Sequence, residues 1–175
     1  MVEPVFILGG YQTDFARNWL TEGLVIVDMI DETVRETLDA ARLAPAEVHV
    51  AHVGNFAAEL YVKQGQLGGF IGQVEPRLSG IPTARHEAAC ASGSVATLAA
   101  TAEIEAQRYD VALVLGVEQM KTVDPATGAD FLGTAAWYEH EAHGIDFAFP
   151  ALFARLGDEY ERRYGLTQDH LTRIA

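Results

Sequence analysis

Basic residues are scarce in this sequence, and cysteine is scarcer still. Twelve Lys and Arg stand against 25 Asp and Glu over 175 residues, a formal net charge of −13 with His neutral. That balance repels polyphosphate backbones and anionic lipid surfaces, and no local basic patch interrupts it, so nucleic acid is not an expected partner. A single cysteine, Cys90, cannot close an internal disulfide. Long hydrophobic runs are missing too. The uncharged stretch between Glu87 and Glu103 is broken by Ser92, Ser94, Thr97 and Thr101 and is too short for a bilayer, so no membrane span is expected. The start Met-Val-Glu-Pro has neither the basic region nor the apolar core of a signal peptide, which makes the cytoplasm the expected location. There is no internal repeat, no low-complexity tract and no glycine-rich phosphate loop. Gly9-Gly10 matches a dinucleotide fingerprint only in its first two positions, because Asp14 and Arg17 stand where further glycines are needed. What remains is 49% apolar and 21% charged, the profile of a soluble globular chain able to build one sizeable core without metal or disulfide staples.

The order of elements follows from periodicity. Pro4 to Gly10 is a short apolar run stopped by two glycines and reads as a strand buried on both faces. Between Leu24 and Leu43, Val27, Ile30, Val34, Leu38 and Ala41 recur at helical spacing, with a mostly acidic face between them. Pro45 follows, and Val48 to Gly54 alternates toward a second strand. Asn55 to Ser79 carries Gly65, Gly68, Gly69 and Gly72 and supports no more than a short helical piece with loops. Thr83 to His86 is extended and leads into a turn centred on Cys90. Ser94 to Gln107 is then dense in helix formers and, lacking charge along most of its length, reads as a helix enclosed by protein on nearly every side. Asp110 to Gly116 is another strand of the parallel-sheet type. Strand, helix and strand in succession give the α/β class, with a mixed, mostly parallel sheet and helices on both faces. A boundary falls near Lys121, which divides the chain into residues 1–120 and 121–175. In the second part Asp124, Pro125, Gly128 and Gly133 break the pattern, and Phe131, Trp137, Tyr138, Phe147 and Phe149 are read as loop aromatics. Leu152, Leu156, Tyr160 and Tyr164 then mark a helix stopped by Gly165, and Leu166, Leu171 and Ile174 open another. Because that last helix has no terminating signal, the chain is expected to be a piece of something longer.

Cys90 is the residue with a mechanism behind its position. The thiolate is the nucleophilic form of cysteine, and the unpaired N–H groups and positive dipole end of a helix N-terminus favour it. Ala88, Ala89, Ala91, Ser92 and Gly93 leave room for a carbonyl to approach, and the Cys90 N–H is placed to help hold an oxyanion. The competing reading is a small buried hydrophobe, a common fate of unpaired cysteine. The six histidines offer less. His86, four residues before Cys90, reads as a structural or rim residue. His49 and His52 are three apart in a strand and face opposite sides, so they cannot make a simple metal site. His140 and His143 lie in a polar stretch with Glu139 and Glu141, His170 belongs to the last helix, and no metal is implied.

The segment Glu87-Ala-Ala-Cys90-Ala-Ser-Gly93 with its Ala-rich helix, followed by Leu115-Gly116-Val-Glu118-Gln-Met120, resembles the nucleophile region of the thiolase family. That region pairs a Cys-(Ala/Ser)-Ser-Gly turn with a strand ending Gly-x-Glu-x-Met. The resemblance reaches both ends of the chain: Val5 to Phe15 is similar to the first thiolase strand and loop, and Tyr160 to Ala175 to the helix pair of the loop domain. It is strongest to acetyl-CoA acetyltransferases related to the sterol-carrier-protein thiolases.

The resemblance implies a thiolase-like N-terminal half over residues 1–120 and the beginning of a loop domain over 121–175. It implies acyl transfer between coenzyme A thioesters through an acyl-enzyme on Cys90, with Met120 as apolar packing near the substrate and Glu118 in a structural role. The coenzyme A thioester is substrate, and no further cofactor is called for. The activating histidine, the proton-shuttling residue and most oxyanion support belong to the second half of a thiolase, which this sequence does not contain. The expectations are therefore that the chain alone turns over negligibly, that it is accompanied by a C-terminal thiolase half as a separate or cleaved chain, and that the complete assembly is a homo-oligomer binding acyl-CoA. Two alternatives stay open: a non-catalytic acyl-CoA-binding or scaffold subunit in which Cys90 only packs, and a thiolase-like retro-aldolase component.

Overall fold

A computed structural model describes residues 4–175; the Met1-Val2-Glu3 start lies outside the described residues. Two compact units divide the chain, one reaching Thr122 and the other Val123–Ala175.

In the first unit, the predicted amphipathic helix α1 spans Ile26–Ala41 and buries Ile26, Ile30, Val34 and Leu38, one residue per turn. Its first turn is closed by Asp28, whose carboxylate accepts the Val25 N–H at 2.7 Å. It ends where Arg42 adopts a left-handed conformation and Leu43 N–H returns to the Leu38 carbonyl at 3.0 Å. Strand β1, Val50–Gly54, is buried along its whole length because it lies between two neighbours, β2 (Thr83–His86) and β3 (Ala112–Gly116), parallel to both. The described sheet is wholly parallel. Between β1 and β2 the chain makes two four-residue helices, α2 (Ala58–Tyr61) and α3 (Ile71–Val74), joined by 3₁₀ turns. This is the irregular region that the glycines predict. Alternation sorts β1 by face. Ala51 and Val53 join Leu113 and Leu115 in a core with Ile30, Val34, Leu67, Ile71 and Leu78. His52 and Gly54 turn the other way, toward helix α4 (Ser92–Glu105). Each large side chain fully buried in that core contributes about 1.5–3 kcal/mol relative to exposure.

Two expectations are corrected here. The run Pro4 to Gly10 forms no sheet ladder and is not buried: Ile7 is 92% exposed, and Phe6 and Leu8 are exposed with it. Apolar composition there does not by itself supply a strand partner. Gly9 rests on the end of α1, where a Cβ would stand 2.9 Å from Ala41 Cα, and a cleft of about 350 Å³ lined by Leu8, Leu38, Ile104, Val111 and Leu113 separates the run from a packed position. Helix α4 is likewise not enclosed on nearly every side. It buries only Ser92, Ala96 and Ala100, while Leu98 is 67% exposed. One sheet covers one side of a helix, so absence of charge does not by itself produce burial.

In the second unit, Asp124 and Pro125 begin a helix instead of breaking one. In α5, Pro125–Gly133, the Asp124 carboxylate accepts the N–H groups of Ala126 at 3.0 Å and Thr127 at 3.1 Å, with Pro125 in the first turn, where its missing N–H costs nothing. Phe131 is therefore helical. Gly133 lets α5 meet Ala142 and Ala148, each 3.3 Å from where a Cβ would stand. Helix α6 (Ala148–Tyr164) stops at Gly165, φ +73°, as its sequence predicts, and α7 (Gln168–Ile174) is capped by Thr167. Among the described residues no helix is long and apolar enough to cross a membrane.

Candidate active site

The three strands end level with one another. Gly54 is the register partner of both His86 and Gly116, so the carboxyl ends of β2 and β3 flank that of β1, about 10 Å apart at the usual strand spacing. Cys90 lies four residues beyond His86 and Met120 four residues beyond Gly116. The two residues singled out in the sequence thus leave the same sheet edge, where open parallel sheets place their sites.

Cys90 is exposed, not packed away as a small hydrophobe. It occupies the middle of a 3₁₀ turn, Ala89–Ala91, that runs directly into α4, so the thiol stands at the positive end of a fourteen-residue helix. The turn is fastened from both sides. Ala89 N–H donates to the Glu87 carboxylate at 2.5 Å, and Ala91 N–H to the Ala88 carbonyl at 2.9 Å. The buried Ser92 hydroxyl accepts the Ala88 N–H at 3.0 Å and donates to the Ala89 carbonyl at 2.7 Å. Ala89 is held at φ +48°, a left-handed conformation that a residue with a Cβ adopts only at a cost of about 1 kcal/mol or more. Gly54 allows the helix to begin this close to the sheet: a Cβ on it would lie 2.6 Å from Gly93 N.

Glu118 joins two of the edge loops. Its carboxylate accepts the Phe56 N–H at 2.8 Å and Asn55 Nδ2 at 3.0 Å, while Asn55, itself buried, donates to the Val117 carbonyl at 2.7 Å. Met120 is partly exposed beyond this clamp.

The histidines separate as the strand period predicts, but one of them has partners that spacing did not reveal. His49 accepts the Asp110 N–H at 3.2 Å on an exposed side. His52 is 4% exposed, with Nδ1 2.8 Å from His86 Nε2 and Nε2 3.0 Å from a Glu103 carboxylate oxygen. Burial first, and His52 second, press the His86 imidazole below its usual range, with Glu103 opposing. Glu103 is the residue the sequence reading passed over. The available signal was its place at 92, 96, 100, 103, on the stripe of α4 that faces the sheet. The His140 ring lies tilted against Trp137, His143 meets the edge of Tyr138, and His170 Nδ1 accepts the Thr167 N–H at 3.3 Å. Among the described residues no group of three His, Cys, Asp or Glu side chains is placed to hold a metal ion.

Comparison with known proteins gives the family. The family described as Thiolase, N-terminal domain matches residues 5–172. This chain belongs to the thiolase family. Within that family it is 35% identical over 171 residues to an acetyl-CoA acetyltransferase of Methanocaldococcus jannaschii, covering 98% of this chain and 42% of the relative. It is 31% identical over 175 residues to the enzyme of the same name in Methanothermobacter thermautotrophicus, covering 99% and 44%. A further relative, the non-specific lipid-transfer protein-like 2 of Caenorhabditis elegans, is 28% identical over 180 residues, covering 98% and 42%. The chain thus spans less than half the length of these relatives, and both Cys90 and Met120 lie inside the stretch matched by the family.

Proposed function

We propose that this chain is the nucleophile-bearing part of a thiolase-type acyltransferase acting on coenzyme A thioesters. Cys90 loses its proton and its sulfur attacks the thioester carbonyl; a carbon–sulfur bond forms to the enzyme, the bond to the coenzyme A sulfur breaks, and the coenzyme A thiolate takes up a proton and departs. The acyl group then passes from Cys90 to an acceptor in a second half-reaction. The observation that carries the reading is an exposed cysteine on a fastened turn at the N-terminal end of α4, at the carboxyl edge of a parallel sheet. The helix end favours the thiolate and presents backbone N–H groups toward a developing oxyanion. Met120 supplies apolar contact to the acyl part of the substrate. Residues 1–120 carry the nucleophile, and 121–175 belong to the substrate-covering part.

The general base, the proton shuttle and the remaining oxyanion donors are assigned to a C-terminal thiolase half, consistent with relatives more than twice as long as the matched stretch. The chain without that half is expected to be inactive. The complete assembly is expected to be a cytoplasmic homo-oligomer that binds acyl-CoA. The test is incubation of the assembly with acetyl-CoA followed by mass spectrometry of the Cys90 peptide. An acetyl adduct that disappears in Cys90→Ser supports the reading. Coenzyme A binding with no adduct on Cys90 under quench conditions overturns it in favour of a non-catalytic binding subunit.

A further inference from the structure

Three titratable side chains from three elements meet beneath the sheet edge: Glu103 of α4, His52 of β1 and His86 at the end of β2, joined by contacts of 3.0 and 2.8 Å. The chemistry of the groups fixes where the hydrogens lie. An ionised carboxylate only accepts, so the hydrogen between Glu103 and His52 is on His52 Nε2. Neutral His52 then has a lone pair on Nδ1, and the contact to His86 requires the hydrogen on His86 Nε2. That leaves His86 Nδ1 as the accepting end of the chain. A proton added there makes His86 an imidazolium without breaking either bond; carried by His52 instead, it also keeps both, His52 Nδ1–H donating to His86 Nε2 while His86 holds its own hydrogen on Nδ1. A second, on His52 Nδ1, would set two N–H groups head to head. The chain holds one proton, and the half-buried Glu103 is its countercharge.

We propose that Glu103, His52 and His86 form a one-proton store that tunes the thiol of Cys90, the cation on His86 raising the thiolate fraction while His52 and Glu103 act through it as positioning residues. The proposal rests for its purpose on the reading of Cys90 as nucleophile. His86 ends the strand that delivers the Cys90 turn, and its register partner Gly54 abuts the first residues of α4. The charged and titratable surroundings of His86 are few. His52 faces it from β1 and Glu103 from α4, with Arg108 4.0 Å beyond Glu103. On its own segment, the guanidinium of Arg85 is engaged by Glu59 and the Phe56 carbonyl, and Glu87 by the Ala89 N–H. Cys90 follows His86 by four positions, which limits their Cα atoms to about 14 Å. A unit charge about 14 Å from a thiol shifts its equilibrium by about two- to sevenfold for effective permittivities between roughly 80 and 20.

The test measures the rate at which 2,2′-dipyridyl disulfide modifies Cys90 in the full chain, from pH 4 to 9 at low ionic strength, where screening is weakest. The expected profile has a shoulder of about two- to sevenfold excess thiolate on its acid limb, below the ordinary histidine range. His86→Gln removes the shoulder, and Glu103→Gln moves it to lower pH, because the carboxylate supports the cation. A single thiol titration in the unaltered chain, or a shoulder that survives His86→Gln, overturns the proposal. Should a variant fail to fold, ¹⁵N NMR of the unaltered chain still decides: with both imidazoles neutral, each is expected as the Nε2–H tautomer, and an Nδ1–H on either ring in that state overturns the store. The acetyl-adduct experiment separates the two readings. An adduct without a shoulder sinks the store alone, and a shoulder without an adduct sinks the acyl-enzyme while upholding the charge coupling.

Discussion

Replacing Gly54 by alanine addresses the closest approach in the site. The added Cβ would stand 2.6 Å from Gly93 N, 2.7 Å from Gly93 Cα and 2.7 Å from the Ser92 carbonyl carbon. All three atoms are backbone, so no side chain can swing aside. To reach an ordinary contact near 3.4 Å the start of α4 must retreat from β1 by about 0.8 Å. Overpacking of this kind costs about 1–3 kcal/mol. The lower unfolded-state entropy of alanine returns about 0.4–1 kcal/mol, leaving a net loss of about 1–2 kcal/mol. The retreat also displaces the turn that holds Cys90, and a misplacement near 1 Å can cost about a hundredfold in an oriented reaction. Gly116, at the end of β3, is the matched control, since a Cβ there meets nothing within 4 Å. Urea unfolding should give Gly54→Ala a lower midpoint with unchanged slope while Gly116→Ala stays within about 0.5 kcal/mol of the unaltered chain. Cys90 acylation in the assembled protein should fall in the first variant and hold in the second. If Gly54→Ala unfolds at the same denaturant concentration as Gly116→Ala, close packing of β1 against α4 is not what places the Cys90 turn.

Other outcomes follow from the same structure. Ser92→Ala removes a buried hydroxyl that serves Ala88 N–H and the Ala89 carbonyl, and should cost about 1–3 kcal/mol by denaturant unfolding. Ala89→Gly should leave stability unchanged or slightly raised, because φ +48° is free to glycine, whereas Ala89→Val should lose about 1–2 kcal/mol; equal midpoints for the two would refute the strained turn. Glu75 is held down to about 2, chiefly by hydrogen bonds from the Arg77 side chain and then its backbone N–H. A carboxylate depressed on folding stabilises above its unfolded value and loses that contribution as pH falls through the folded one. The stability gap between the unaltered chain and Arg77→Met should therefore be present at pH 6 and close between about pH 4.5 and 2. Because Arg77 is exposed, that gap should not exceed about 1 kcal/mol in a pH series of thermal melts.

How much of this was legible in the sequence depends on the range over which each signal acts. Helix α1 was readable because its stripe of Ile30, Val34 and Leu38 and its end before Pro45 are set by neighbours a few residues away, although the left-handed stop at Arg42 was not. Strands β1 and β3 were readable for the same reason, and the glycine stop at Gly165 needed only local chirality. The Pro4 to Gly10 run misled because strand composition specifies an extended chain, while a ladder also requires a partner edge within reach. Asp124-Pro125 misled in the opposite direction: both residues interrupt a helix from inside and start one from outside, and periodicity alone does not say which side they occupy. Cys90 and Met120 were singled out from the motifs around them. The link between Glu103 and His52 spans 51 positions and became visible only after two periods were superposed, the alternation that turns His52 with Gly54 toward α4 and the helical step that carries 92, 96 and 100 on to 103. A half-buried carboxylate at the edge of an otherwise small, sheet-facing stripe can reach a partner in the sheet, and in β1 the side chain that meets it is a histidine. The same reasoning explains why α4 has so little charge. With alanine and serine at its buried positions the helix comes close enough for one carboxylate to reach a strand interior, and additional ionised groups on that stripe would be buried without partners.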